Sequence, residues 1–279
     1  MVSARLDGAG IRFAASDLLA LRDQIIRPSR HRPASRRPGA VAAKPAGAGM
    51  DLREIRAFAE GDDARRIDPA ATARTGTPHI RSFHEDRDDT VLLIADFRLP
   101  MLWGTGTTLR SVNAARALAR RGWQATARGA SLAAIGINAA GVAIIPLGSG
   151  AAQMSRISHM LASRHDQALE SRDAGPSLAE ALIRAMRLVP PGSEVVIASG
   201  AEGIAPADEP ELARLARRRQ VRLLVPLDPI DTAPPPRALP VHAGPLSRLA
   251  SLRAFDPASL ALRMRALNVT LEMVAHDAG

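Results

Sequence analysis

An α/β fold, built on an open and mostly parallel sheet with helices on both faces, is what this 279-residue sequence predicts. Three observations lead there. Short continuous apolar runs recur at residues 91–95 (VLLIA), 195–198 (VVIA) and 221–225 (VRLLV), as strands buried on both faces require. Amphipathic stretches of helical period lie between and after them. Their alternation across residues 90 to 270 is that of a doubly wound, Rossmann-like sheet.

Taken in order, residues 11–27 place Phe13, Leu18, Leu21 and Ile25 at roughly helical spacing, which predicts a short helix from about Asp17 within an N-terminal segment 1–27. Residues 28–50 are rich in Pro, Ala and Gly, lack apolar periodicity and read as a basic linker. Residues 51–89 are mostly charged, with isolated Leu52, Ile55, Phe58, Ile67, Ile80 and Phe83, so a small lobe of short strands and turns is expected. The α/β domain of residues 90–279 follows. After its first strand comes a helix at 111–122, then two apolar bursts, 131–137 and 142–147, split by Asn138-Ala139-Ala140-Gly141. That is a hairpin pattern with an edge strand, and it argues against a membrane span in the charge-free stretch 129–150. Helices are predicted at 152–163, at 177–189 with Leu178, Ala181, Leu182, Ala185 and Leu188 on one stripe, and at 211–219, whose terminal arginines suit the negative end of the helix dipole. Asp256-Pro257 caps a last helix running to about Leu267, and 269–274 forms a final strand.

Composition bounds the chemistry. With no cysteine, a disulfide framework, a thiolate zinc site, an iron–sulfur cluster and a thiol nucleophile are excluded. The formal charge is +9, but residues 22–50 hold seven basic residues (Arg22, Arg27, Arg30, Arg32, Arg36, Arg37, Lys44) against Asp23 alone. Six of the nine net charges therefore sit in 29 residues, and the rest of the chain is near balance. That segment suits an acidic partner, nucleic acid or anionic membrane, or serves as a solvated tether. Tyr is absent and only five Phe and two Trp remain, so a base-stacking platform is not expected. No secretory signal is legible at the N-terminus, and a cytoplasmic location is expected.

Candidate catalytic motifs are weak. Gly104-Thr105-Gly106-Thr107-Thr108 follows the first core strand, yet it matches neither nucleotide fingerprint and reads as an ordinary N-capping loop. Gly148-Ser149-Gly150 lacks the spacing of a hydrolase elbow. His84-Glu85-Asp86 with Asp88 and Asp89 forms a metal-like cluster, but the adjoining Arg81 and Arg87 make it a solvated, partly paired edge. A metal-dependent hydrolase using Asp96 and the His84 cluster lacks a paired acid and base at recognisable spacing, so no enzyme is expected.

One stretch is far more specific. It runs Gly49-Met50-Asp51-Leu52-Arg53-Glu54-Ile55-Arg56-Ala57-Phe58-Ala59-Glu60-Gly61-Asp62-Asp63-Ala64-Arg65-Arg66-Ile67-Asp68, then Thr72-Ala73-Arg74-Thr75-Gly76 and His79-Ile80-Arg81. This resembles the signature of the bacterial domain-of-unknown-function family fifty-eight, with departures at Phe58 (usually Tyr) and Pro69 (usually Trp). Gly61 permits a turn, Asp62 or Asp63 can cap the short turn after it, and Arg65, Arg66, Arg74 and Asp68 can form a charge-assisted network. The resemblance implies a von Willebrand factor type A-like domain acting as a non-enzymatic adaptor with a MoxR-type AAA+ ATPase, its signature positions Arg53, Glu54, Arg56, Gly61, Asp62, Asp63, Arg65, Arg66, Asp68 and Arg74 serving structure or partner recognition. Type A domains often hold Mg²⁺ through an Asp-x-Ser-x-Ser motif, a distant Thr and a distant Asp. Here the matching positions are Asp96 and Arg98, with Ser177 for the Thr and Gly200 where the second Asp belongs. One carboxylate and one hydroxyl are a poor set for Mg²⁺, so no metal or other cofactor is expected, and Arg98 is expected to place its guanidinium beside Asp96 as an internal cation.

Overall fold

The computed structural model describes residues 10–26, 46–59, 62–84, 89–243 and 246–276. The chain forms two compact units, Ser29–Asp88 and the combination of Met1–Pro28 with Asp89–Gly279. Helix α1 (Ala15–Ile26) belongs to the larger unit; the smaller one holds β1 (Ala46–Ala57), α2 (Pro69–Thr75) and β2 (His79–His84). The larger unit resumes with β3 (Thr90–Asp96), α3 (Arg110–Ala127), β4 (Ser131–Asn138), β5 (Gly141–Ser149), α4 (Gly150–Glu170), α5 (Leu178–Leu188) and β6 (Glu194–Ala198). It ends with α6 (Glu209–Ala216), β7 (Gln220–Pro226), α7 (Pro229–Thr232), β8 (Leu239–Ala243), β9 (Leu246–Ala250), α8 (Pro257–Ala266) and β10 (Val269–Val274).

The main sheet has six strands in the order β10-β7-β6-β3-β4-β5, all parallel except β5, which runs antiparallel to β4. Its continuous apolar strands feed two cores. On one face Val91, Leu93 and Ala95 pack with α1, α3 and α4; on the other Leu92 and Ile94 pack with α5, α6 and α8. Alternate residues of one strand thus reach opposite faces, which is why no polar position interrupts the run. Asn138 and Gly141 close the β4–β5 hairpin: the Asn138 side chain accepts from the Ala140 N–H at 2.9 Å, and Gly141 takes φ of +108°, a conformation open to glycine. Among the described residues no helix is long and apolar enough to cross a membrane, and the charge-free stretch is this hairpin.

Helix α1, set apart by sequence as segment 1–27, joins the larger unit because Leu18 and Leu21 are buried in the first core. The Trp123 indole N–H donates to the Leu18 carbonyl at 3.0 Å, and Arg12 pairs with Asp166 at 2.7 Å. The expected linker ends sooner than residue 50, since β1 begins at Ala46; residues 27–45, which hold most of its charge, lie outside those described. The β8–β9 hairpin was not legible, because Pro234 to Pro236, Pro240 and the Gly244-Pro245 pair read as loop.

In the smaller unit β1 and β2 pair antiparallel, with Ile55 opposite Arg81 and Ala57 opposite His79. Helix α2 starts where Asp68, buried, accepts from the Ala71 N–H at 2.8 Å, and Pro69 takes the first helical position, where its missing N–H costs nothing. The unusual proline therefore suits its place. Asp68→Ala is expected to cost this unit about 1 kcal/mol in urea-induced unfolding; an unchanged midpoint would show that the cap is not needed.

Candidate functional site

The strand order reverses its direction of winding between β3 and β6, and in open α/β sheets the crevice at the carboxyl ends of such a pair is where ligands bind. Asp96, fully buried, is the last residue of β3. Its carboxylate receives four donors. The Arg98 guanidinium approaches it in a fork, Nε to Oδ1 at 2.9 Å and Nη2 to Oδ2 at 2.7 Å. The Arg98 backbone N–H donates to Oδ1 at 3.0 Å, and the Ser199 hydroxyl, just past β6, donates to Oδ2 at 2.6 Å.

Arg98 is in turn held by carbonyls from two distant loops, Gly203 at 2.6 Å from Nη2 and Pro176 at 3.4 Å from Nη1. Burial works against its charge, but the Asp96 carboxylate, and the field of Asp208 beside it, outweigh that and raise its pKa above the ordinary arginine value. Asp208 is itself buried and caps two chain segments, accepting from the Ala179 N–H of α5 and the Ala205 N–H at 2.9 Å each. Gly203 must be glycine: a Cβ there would lie 2.2 Å from the Ser199 hydroxyl and 2.9 Å from Asp96 Oδ2.

These residues do not fit the Mg²⁺ that the resemblance associates with this position. Both oxygens of Asp96 are taken by donors, and a fixed cation stands where a metal would. Ser177 is the N-cap residue of α5 with no side-chain capping bond, and Gly200 offers no side chain. The ion pair of Asp96 and Arg98 was readable two residues apart in the sequence; Ser199, Gly203, Asp208 and Pro176 were not, because nothing local marks them.

Beside the crevice lies a second charged group. Arg110, at the start of α3 and buried, pairs with Asp231 at 2.5 Å and Glu202 at 3.3 Å, and stacks 4.0 Å over the Trp103 ring. The loop 104–108 is tied to Asp228, which accepts from the Thr105 N–H at 2.7 Å, from the Thr105 hydroxyl and from the Ile230 N–H at 3.1 Å. Burial disfavours the Asp228 carboxylate, yet these bonds and nearby Arg110 hold it below the ordinary value. The expectation of an N-capping loop is corrected here. Leu109 is the cap residue of α3 and makes no side-chain bond, while the threonine next to Gly104 serves Asp228 instead. A carboxylate so placed also repels phosphate.

His165 of α4 lies buried between Phe13 and Phe97, ring centroids 4.8 and 5.3 Å away. Its Nε2 meets the Ser111 hydroxyl at 2.9 Å, and Nδ1 has no partner among the described residues. Burial lowers its pKa to about 4.

The signature residues organise the smaller unit. Asp62 takes a fork from Arg56 at 2.8 and 2.6 Å and the Ala59 N–H at 2.8 Å, bonds that hold its carboxyl below the ordinary value. Asp63 caps the turn Ala64–Arg66 through the Arg65 N–H at 3.0 Å. Arg65 and Arg74 are exposed, Arg66 is half-buried, and Asp68 caps α2. Gly61 and the side chains of Arg53 and Glu54 lie outside the described residues, as do Glu85 to Asp88 of the His84 cluster.

A family model described as Protein of unknown function DUF58 matches residues 54–237. Uncharacterised proteins of Mycobacterium bovis and Mycobacterium tuberculosis are 33% identical over 104 residues, covering 37% of this chain and 33% of theirs, so the match spans about a third of those relatives. Among solved structures, BatB from Bacteroides thetaiotaomicron is 13% identical with a TM-score of 0.44, covering 68% of this chain and 91% of that one. The VWA domain of SpRpn10 is 10% identical with a TM-score of 0.42, covering 68% and 90%. An aerotolerance-related membrane protein from Bacteroides fragilis is 13% identical with a TM-score of 0.44, covering 68% and 92%. With two thirds of its length matched by the family model, the chain belongs to the DUF58 family.

Proposed function

We propose that this chain is a non-catalytic interaction module that works with a MoxR-type AAA+ ATPase in the cytoplasm, and that its ancestral metal position is closed by an internal ion pair. The observation that carries this reading is the buried Asp96 carboxylate saturated by Arg98 and Ser199. A guanidinium held by two carbonyls and a carboxylate cannot exchange with solution as a bound Mg²⁺ does, so a partner of this chain is not recognised through a metal that completes its coordination with the partner's oxygen. Among the described residues the crevice offers no nucleophile paired with a base: Ser199 already donates to a carboxylate, and His165 is buried with its Nε2 committed to Ser111.

Two experiments test the two halves. Calorimetric titration of the chain with Mg²⁺ is expected to show no saturable heat; micromolar binding lost in Asp96→Asn would refute the closed site. Affinity capture of the tagged chain from its native source is expected to recover an AAA+ ATPase of the MoxR type, and repeated capture without one would remove the assigned partner.

A further inference from the structure

Strand β10 ends the sheet, and among the described residues no strand pairs with its outer side. The Val274 carbonyl accepts from the Leu227 N–H of the β7 side at 2.9 Å, so residues 270, 272 and 274 turn their backbone groups toward β7. Leu271 and Met273 therefore turn theirs outward. Such an edge is a template for another strand unless something blunts it. The opposite edge is blunted by Pro146 in β5; β10 contains neither proline nor lysine.

The groove along this edge has shape and charge. Two hollows flank it on the α8 face, one of about 390 Å³ against Leu271, Ala261 and Arg265, the other of about 270 Å³ against Met273, Phe255 and Leu227. Both are large enough for an aliphatic side chain, and Leu271 and Met273 are two residues apart, the spacing at which an added strand presents one face. The nearby acids are engaged: Asp231 with Arg110, Glu272 with Arg121 and Arg222, and Asp256 with the Ala258 N–H. Arg253 and Arg265 are exposed and form no ion pair among the described residues. Asp256 bonds only a neutral amide and keeps its charge, so Arg253 and Arg265 leave the rim with an excess of one positive charge.

We propose that the free edge of β10 receives an extended, acidic segment of a partner protein as a seventh strand, with two aliphatic side chains at i and i+2 in the hollows and carboxylates beside Arg253 and Arg265. The proposal rests on the interaction-module reading and names where and how a partner binds; which protein carries the segment is a separate matter, so the ATPase capture and the peptide titration fail independently.

The probe is a fluorescein-labelled peptide, Glu-Thr-Val-Thr-Val-Thr-Glu, titrated onto the full chain and followed by anisotropy. Saturable binding is expected, weakened at least tenfold when both glutamates become lysine and at least tenfold in Arg265→Glu, an exposed position whose change leaves the fold intact. Methylating the amide nitrogens of one alternate set of peptide residues is expected to abolish binding while methylating the other set leaves it. Hydrogen exchange is expected to slow at the amides of Leu271 and Met273. Equal binding of the acidic and lysine-ended peptides, equal effects of the two methylation patterns, or no binding at millimolar peptide would overturn the proposal. So would a dimer in sedimentation that excludes the peptide, which would assign the edge to a second copy of the chain.

Discussion

Arg98→Ala is expected to destabilise the larger unit by about 3–5 kcal/mol, because it leaves the Asp96 carboxylate buried without its cation. The attraction within the pair is not the source of so large a loss, since taking both charges out of water offsets most of it. What makes the single change costly is that Ser199 and one backbone N–H must then satisfy a fully buried charge alone. The double change Asp96→Asn with Arg98→Met removes both charges, keeps much of the volume, and is expected to recover most of the loss. Urea unfolding of the larger unit's transition measures both. A single-mutant loss below about 1 kcal/mol, or a double mutant as unstable as the single, would mean that the pair does not behave as a coupled buried unit.

Acid is expected to weaken the larger unit as pH falls below about 6.5. His165 has an ordinary pKa of 6.5 and a folded value of about 4, because burial between two phenylalanines disfavours the imidazolium. The unfolded chain takes up this proton as pH falls through 6.5, whereas the folded chain resists until about 4. The stability is therefore fully present above 6.5 and lost progressively down to about 4, on the order of 3 kcal/mol in total. Asp228 belongs to a lower window: its depressed carboxyl contributes stability above its ordinary 3.8 that is lost only as pH drops further. His165→Leu removes the first window and leaves the second. Chemical unfolding at intervals from pH 7 to 4 should show a slope in the parent that flattens in the variant, and parallel slopes would exclude His165 as the source.

Several elements were legible because their cause is local. Residues 91–95, 195–198 and 221–225 are apolar at every or nearly every position, which only a strand covered on both faces needs, and β3, β6 and β7 sit where those runs do. Asn138 to Gly141 carried the turn chemistry of the β4–β5 hairpin. Proline-rich residues 234–250 concealed β8 and β9 for a local reason too, since proline removes a ladder donor and marks a loop.

The site divides along the same line. Asp96 and Arg98, two residues apart at a strand end, could be paired from the sequence once the resemblance had marked the position. Ser199 and Gly203 reach the same carboxylate and guanidinium from more than a hundred residues away, and Pro176 from 78. Such partners leave no periodic trace, because the sheet order and not chain proximity selects them. His165 was one of seven scattered histidines until the segment before α1 and the residue after β3 enclosed it with Phe13 and Phe97. That β10 is a terminal strand among the described residues could not be read either, for whether a strand is central or terminal depends on the order in which all six assemble. Apolar pattern and turn chemistry, acting over a few residues, determined most elements of the main sheet, and the signature at residues 49–81 pointed to the family; the tertiary structure alone decided which distant polar groups close the crevice and which strand edge has no partner among the described residues, because those depend on long-range packing that no local pattern encodes.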